Sequence, residues 1–146
     1  MKHKKHGIIS IVIVFLAFVI GITAIFLERP DLAFLYILII LAGFLIIMYS
    51  YCTKCEGRFN CGHVIIGKIA QWLPVRKNGS YTKLDYIGVI LPFLIVLVFP
   101  QIWLWKIKWM FFAFWILLII AVLEINKYVC TKCVNVKCVM CKNKCI

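Results

Sequence analysis

The side chains of this sequence that are best suited to chemistry are eight cysteines, which fall in two short clusters. The first cluster has the spacing C-x2-C-x5-C-x-H, and the second has the spacing C-x2-C-x4-C-x2-C-x3-C. Thiolates and imidazoles this close together in a chain are typical ligands of zinc, iron and iron–sulfur clusters. The sequence therefore predicts metal binding. The predicted metal ligands are Cys52, Cys55, Cys61, His63, Cys130, Cys133, Cys138, Cys141 and Cys145.

The two clusters offer different donor sets. A C-x2-C turn lets two thiolates point at one metal, and Cys61 and His63 could complete a tetrahedral site of three thiolates and one imidazole. In the second cluster, any four of the five cysteines could form a site of four thiolates, and the neighbouring lysines would lower the pKa values of those thiols. No catalytic residue is predicted in either cluster.

An internal repeat gives a third possibility. The tetrapeptide Cys-Thr-Lys-Cys occurs at 52–55 and again at 130–133, each time shortly after a tyrosine and a long apolar run. Each half of the chain would then be a helical hairpin that ends in the same turn. Four cysteines, two from each half, could share one metal in the manner of a rubredoxin or zinc-ribbon site. The sequence leaves open whether there is one shared site or two.

The elements that must position these residues are apolar. The chain of 146 residues is 65% hydrophobic and 15% charged, with a mean hydropathy of +1.04. A soluble domain of this size could not cover so much apolar surface, which also excludes a soluble nucleic-acid-binding domain despite the net charge of +12. We predict an all-α membrane protein, a single domain over 1–146 with four transmembrane helices in two hairpins. The predicted spans are about 8–27, 32–51, 84–103 and 107–126, each near the length that a bilayer requires.

Charge asymmetry predicts the orientation. Fourteen Lys and Arg residues lie in the N-terminus, the middle segment and the C-terminal tail, and three lie in the two hairpin turns. The positive-inside rule then places both termini and the Cys-rich segments 52–63 and 130–145 in the cytoplasm, with the protein in the cell (inner) membrane. His3 and His6 are expected in a solvated basic tail. Since the cytosol keeps thiols reduced, metal binding is favoured over disulfides.

The spans themselves contain little chemistry. They carry no His, which excludes a haem held by two imidazoles in the bilayer, and no Asp, Glu, Lys or Arg in their interiors, which argues against an ion pump or a proton-coupled transporter. Between the second and third spans, apolar residues at helical spacing predict an amphipathic interfacial helix over about 64–73. Thr82 and Asp85 have the spacing of a capping box at the start of the third span.

The segment Gly57-Arg58-Phe59-Asn60-Cys61-Gly62-His63 resembles part of the polyferredoxin-like membrane iron–sulfur proteins that supply electrons to periplasmic reductases. In that family a span is followed by an Arg-aromatic-x-Cys-Gly segment, a basic connector, further spans and a Cys-rich cytoplasmic end. The resemblance covers about 58–100 and carries over Arg58, Cys61 and Gly62. Val64-Ile65-Ile66 stands where the family has its next Cys-Pro. The resemblance implies an iron–sulfur cofactor and electron transfer.

These observations predict a membrane-anchored, cysteine-ligated metal protein that transfers electrons at the cytoplasmic face. The expected cofactor is an iron–sulfur cluster or mononuclear iron, with zinc as the alternative. The expected partners are the lipid bilayer and a quinone or a redox protein, with no nucleic acid. Alternatives are a structural-zinc docking subunit and a protein that handles soft metals. We expect an electron carrier or an accessory subunit in preference to a stand-alone enzyme, and the sequence leaves open a homo- or hetero-oligomer.

Overall fold

The computed structural model describes residues 2–55, 59, 61, 63–74, 76 and 81–130, and in this part of the chain all regular structure is helical. A 3₁₀ turn, Cys52–Lys54, follows the second helix, and a π-helical turn, Ile125–Val129, follows the last. Within the described residues there is no strand, which confirms the predicted all-α class. The α-helices are α1 (Lys2–Phe26), α2 (Pro30–Ser50), α3 (Val64–Trp72), α4 (Lys83–Val98), α5 (Gln101–Lys106) and α6 (Lys108–Glu124).

Four helical segments are long and apolar enough to cross a bilayer. Their large apolar side chains point outward in many places; Phe15 is 64% exposed and Leu38 is 62% exposed. Because lipid tails are as apolar as these side chains, outward exposure carries no penalty in a membrane. The four predicted transmembrane helices are confirmed, and the chain is a multi-pass membrane protein. The four segments are Lys5–Phe26, Pro30–Lys54, Lys83–Lys106 and Lys108–Val129.

The interior is formed mainly by contacts between the two halves of the chain. α1 contacts α6 and α2 contacts α4 more extensively than the consecutive helices α1 and α2 contact each other. Small residues on α1 let the helix backbones approach closely. In a bilayer the hydrophobic effect does not drive helices together, so they associate through such close van der Waals packing. The predicted grouping into two hairpins stays a prediction. One buried cluster comprises Ala17, Ala24, Leu104, Met110, Phe114 and Leu118, and the other comprises Ile25, Ala33, Tyr36 and Val96.

α2 and α4 approach each other most tightly where a glycine faces a small side chain. A Cβ atom built on Gly88 of α4 would lie 2.3 Å from the Ser50 hydroxyl oxygen, so no larger residue fits there unless Ser50 moves. Further along the same interface, a Cβ on Gly43 would lie 3.4 Å from the Cβ of Pro92, at the edge of ordinary contact. These positions set the spacing between the two helices.

The third span is divided between α4 and α5 by Pro100. Proline has no backbone N–H, so the carbonyl of Val96, four residues earlier, loses its helical donor. The fully buried hydroxyl of Tyr36 on α2 donates to that carbonyl at 2.8 Å. In hydrocarbon an unsatisfied carbonyl is costly, so the tyrosine both stabilises the break and joins α2 to α4.

Gln101 performs a related role at the first residue of α5. Its side-chain amide donates to the Leu97 carbonyl at 2.6 Å, and its side-chain oxygen accepts a hydrogen bond from the Trp115 indole at 3.2 Å. One polar side chain therefore satisfies a carbonyl at the helix break and links α5 to α6.

An ion pair marks the end of the bundle that carries the two short connections. Lys106 donates to the Glu28 carboxylate at 2.7 Å and joins the α5–α6 connection to the α1–α2 connection. Beside it, Arg29 forms a two-point hydrogen bond with Asp31 at 2.9 and 3.1 Å. We call this end the turn end.

At the opposite end, polar contacts join the start of α1 to the end of α6 and the end of α2 to the start of α4. His6 contacts Glu124 at 3.2 Å, and Lys54 contacts Asp85 at 2.5 Å. We call this the cysteine end, because Cys52 and Cys130 lie there. The predicted capping box is confirmed at this end, since Thr82 and Asp85 exchange both of its hydrogen bonds.

Replacing Tyr36 by Phe tests the break at Pro100. The variant Tyr36→Phe leaves the Val96 carbonyl without a donor, and we expect it to lower the free energy of unfolding by about 1 kcal/mol. Reversible unfolding in mixed micelles measures the change. Tyr49→Phe is the matched control, because Tyr49 is half exposed and its hydroxyl has no hydrogen-bond partner among the described residues. Equal stability of the two variants would contradict the assignment.

Candidate metal centre

The C-x2-C motif of the first cluster lies at the cysteine end, where α2 runs directly into the 3₁₀ turn. Cys52 begins this turn, and the Cys55 N–H donates to the Cys52 carbonyl at 3.2 Å. Thr53 between them is buried, and its hydroxyl donates to the Tyr49 carbonyl at 2.6 Å. The two cysteines are therefore carried on a turn that is tied to the last turn of α2.

Cys61 lies in the same region as this turn. Both Cys55 and Cys61 are close enough to interact electrostatically with the Cys52 thiol, and all three cysteines are partly exposed. That these three sulfurs bind one metal stays a prediction.

His63, the predicted fourth ligand, is held from two sides. Its carbonyl accepts the Gly67 N–H at 2.8 Å at the start of α3, and its imidazole is hydrogen-bonded to the backbone of Gly7 in α1. Burial lowers the pKa of His63, and the Gly7 contact opposes that shift. Burial thus favours the neutral imidazole, the form that binds metals.

One ring nitrogen of His63 lacks a hydrogen-bond partner in the described part of the chain. The Nδ1 atom of His63 is buried and has no hydrogen-bond partner among the described residues. A buried polar atom without a partner is uncommon in a folded protein and calls for an explanation such as an unseen ion. The arrangement matches metal-binding histidines, which bind with one nitrogen while a backbone group orients the other. The donor set of the first cluster fits a metal in this respect.

Only the first residue of the second cluster falls within the described residues. Cys130 is 4% exposed and follows the π-helical turn, which contacts α1 and α6. Cys133, Cys138, Cys141 and Cys145 lie outside the described residues. The predicted four-thiolate site and the shared site therefore stay predictions.

The described residues do not contain a finished coordination sphere. Within them, no three Cys, His, Asp or Glu side chains converge closely enough to hold a metal ion. The helix α3, which follows His63, contacts the 3₁₀ turn that begins at Cys52. The ligand set is thus a prediction.

The turn that carries Cys52 and Cys55 is anchored to α4 by a buried carboxylate. Asp85 is 2% exposed and accepts hydrogen bonds from Lys54 at 2.5 Å and from Arg76 at 3.0 Å. The Thr82 N–H and hydroxyl each donate to it at 2.8 Å. Lys54 lies between the two cysteines in sequence, so its ion pair fixes the position of the turn.

Sequence reasoning assigned Asp85 to the capping box and missed its pairing with Lys54. The sequence does place Lys54 and Asp85 at the ends of apolar spans. A charge that enters the bundle there needs a partner, and this could have indicated the pair. Arg76 adds a second tie, since its guanidinium also lies 5.2 Å from the centre of the Tyr49 ring. The residues around the cysteines therefore form a rigid polar frame that the spacing of the cysteines did not reveal.

The expectation for His6 is corrected by the structure. It is not in a solvated tail: its ring is half-buried, contacts Glu124 and stacks on Tyr128 with the ring centres 4.1 Å apart. The sequence could not show this because the partners are 118 and 122 residues away in the chain. The contact holds the start of α1 beside the segment that leads to Cys130. His6 directly precedes Gly7, whose backbone contacts His63.

The chain matches no protein-family model, and searches of curated proteins and of solved structures found no similar protein. The resemblance of the Arg58–Gly62 segment to polyferredoxin-like proteins therefore has no support beyond those residues.

Replacing Asp85 by Asn tests whether this carboxylate anchors the cysteine turn. The variant Asp85→Asn leaves the Lys54 ammonium buried without a counter-charge, and we expect a loss of about 3 kcal/mol in the free energy of unfolding. Asp31→Asn is the matched control, because it breaks an exposed pair with Arg29 that water screens, and it should leave the free energy of unfolding almost unchanged. A similar loss of unfolding free energy in Asp85→Asn and Asp31→Asn would show that burial of the Lys54–Asp85 pair does not anchor the turn.

Proposed function

We propose that this chain is a membrane-anchored metal protein in which Cys52, Cys55, Cys61 and His63 bind iron, as a mononuclear site or an iron–sulfur cluster. The observation that carries the proposal is the buried Nδ1 atom of His63, which lacks a partner among the described residues and belongs to the same segment as three neighbouring thiols. Bound iron would supply one-electron redox chemistry. The protein would hold its ligands on a frame fixed by the Asp85 carboxylate.

The proposed role is electron transfer at the cytoplasmic face. The interiors of the spans carry no Asp, Glu, Lys or Arg, which is expected of a scaffold and not of a pump. All eight cysteines lie outside the interiors of the spans, where a redox protein or the headgroup of a quinone could approach them. The second cluster would bind a further metal or contribute to the same site.

The proposed orientation has both termini and the middle segment in the cytoplasm. The two connections at the turn end carry three cations, Arg29, Lys106 and Lys108, and the rest of the chain carries fourteen. This asymmetry is the basis of the positive-inside rule. It places the cysteine end in a reducing compartment, where thiols stay available to metals.

Metal content and spectrum decide the main proposal. We expect protein purified under anaerobic conditions to contain stoichiometric iron and to absorb visible light through thiolate–iron charge transfer. Cys55→Ser and His63→Ala should each lower the iron content at least severalfold, because each removes a ligand. His3→Ala is the matched control and should keep the iron. Colourless protein without iron would overturn the electron-transfer proposal.

Structural zinc is a second candidate, and His63 favours it. Three thiolates with one imidazole are a common ligand set of structural zinc. In that case the purified protein would hold stoichiometric zinc without visible absorption, and chelation would loosen the cysteine end. Zinc that is removed without any change in stability would contradict this structural role.

Labelling of cysteines tests the orientation. After bound metal has been removed with a chelator, a membrane-impermeant maleimide should react with the partly exposed Cys55 and Cys61 in inverted membrane vesicles and not in intact spheroplasts, because the cytoplasmic face is accessible only in the former. A cysteine introduced at the turn end, Asp31→Cys in a chain whose native cysteines are replaced by serine, should give the opposite result. Labelling of the native cysteines from the outside would overturn the proposed topology.

A further inference from the structure

The turn end carries one positive charge that the protein does not neutralise. Its two carboxylates are both occupied, since Glu28 pairs with Lys106 and Asp31 pairs with Arg29. Lys108, the first residue of α6, has no ion-pair partner within the described part of the chain. The charge therefore remains available to a ligand from outside the protein.

Lys108 lines a groove whose other walls are aromatic. The groove has a volume of about 260 Å³ and is lined by Trp105, Lys108, Phe111 and Phe112. Phe111 meets Trp105 edge to face at 5.1 Å and Phe112 edge to face at 5.8 Å, which fixes the orientation of the walls. Trp105 is 70% exposed and Phe112 is 61% exposed, so the groove opens to the surroundings of the bundle.

The position of the groove defines its surroundings. It lies where the span Lys83–Lys106 ends and the span Lys108–Val129 begins, which is the depth of the lipid headgroups. Trp105 and Lys108 are residue types that occupy this depth, because each has an apolar body and a polar end. A ligand in the groove would meet an ammonium on one side and apolar rings on the other.

We propose that this groove binds an anionic phospholipid. The Lys108 ammonium pairs with the lipid phosphate, whose negative charge no cation in the headgroup offsets, and the part of an acyl chain nearest the headgroup lies along Trp105 and Phe112. The site and the lipid match in two ways. Lys108, which has no ion-pair partner among the described residues, faces the phosphate anion, and the exposed rings of Trp105 and Phe112 face a hydrocarbon chain. A zwitterionic lipid has the same chains but no net charge to offset Lys108, so the site selects for the anionic headgroup.

Native mass spectrometry of the full chain tests the proposal. Protein is extracted from vesicles of phosphatidylglycerol and phosphatidylcholine with matched acyl chains, and the retained lipids are counted. We expect wild-type protein to retain phosphatidylglycerol about fivefold more than phosphatidylcholine, the preference that one lysine near a membrane surface provides. Lys108→Gln should remove this preference.

Lys106→Gln is the matched control, because it removes the same charge two residues away from a side chain that is already paired with Glu28. It should keep most of the preference. Phe112→Ala should lower the retention of both lipids, since it removes an apolar wall while the charge remains. The proposal would be overturned if wild type and Lys108→Gln retained phosphatidylglycerol with equal preference. It would also be overturned if Lys106→Gln and Lys108→Gln lost the preference equally, which would indicate an effect of general surface charge.

Discussion

The need to satisfy polar groups away from water governs most of this structure. In a bilayer the backbone can hydrogen-bond only to the protein, so spans are helical and any interruption must be repaired. The interruption at Pro100 shows the constraint directly. The Val96 carbonyl, which Pro100 leaves without a donor, accepts a hydrogen bond from the Tyr36 hydroxyl, and the Leu97 carbonyl accepts one from the Gln101 side chain. Two of the few polar side chains in the spans are thus used to join helices at a break.

The same constraint applies to charges at the ends of the spans. Asp85 is almost completely buried and is surrounded by donors from the 3₁₀ turn after α2, from the segment before α4 and from its own helix cap. The exposed pairs at the turn end contribute little to stability, because water screens them. The buried ion pairs of the described residues therefore lie at the cysteine end, which is also the end where the proposed metal ligands lie.

The environment of His63 connects this rigid frame to the proposed chemistry. α1 supplies the Gly7 backbone that holds one side of the imidazole, and the neighbouring His6 attaches the start of α1 to the end of α6. A ligand that is held in this way loses little additional freedom on binding a metal, because the protein has already ordered it. Helix packing in the membrane would thus pre-position a site outside it.

Much of the architecture follows from the sequence alone, because length and apolar character suffice to define a transmembrane helix. The four spans, the helical connector at α3 and the capping box of Thr82 and Asp85 are local patterns, and the structure contains all of them. The cysteine motifs are also local, so their residue types and spacing indicate metal chemistry without any knowledge of packing. Orientation and metal binding stay predictions.

Tertiary structure alone decided which residues meet. The pairing of α1 with α6 and of α2 with α4, the contact of Lys54 with Asp85 and the burial of His6 against Glu124 join positions far apart in the chain. No periodicity encodes such contacts, because lipid-facing and helix-facing apolar residues are chemically alike in a membrane protein. The sequence therefore identified the candidate ligands, and the packing of the helices determined which of them share a common environment.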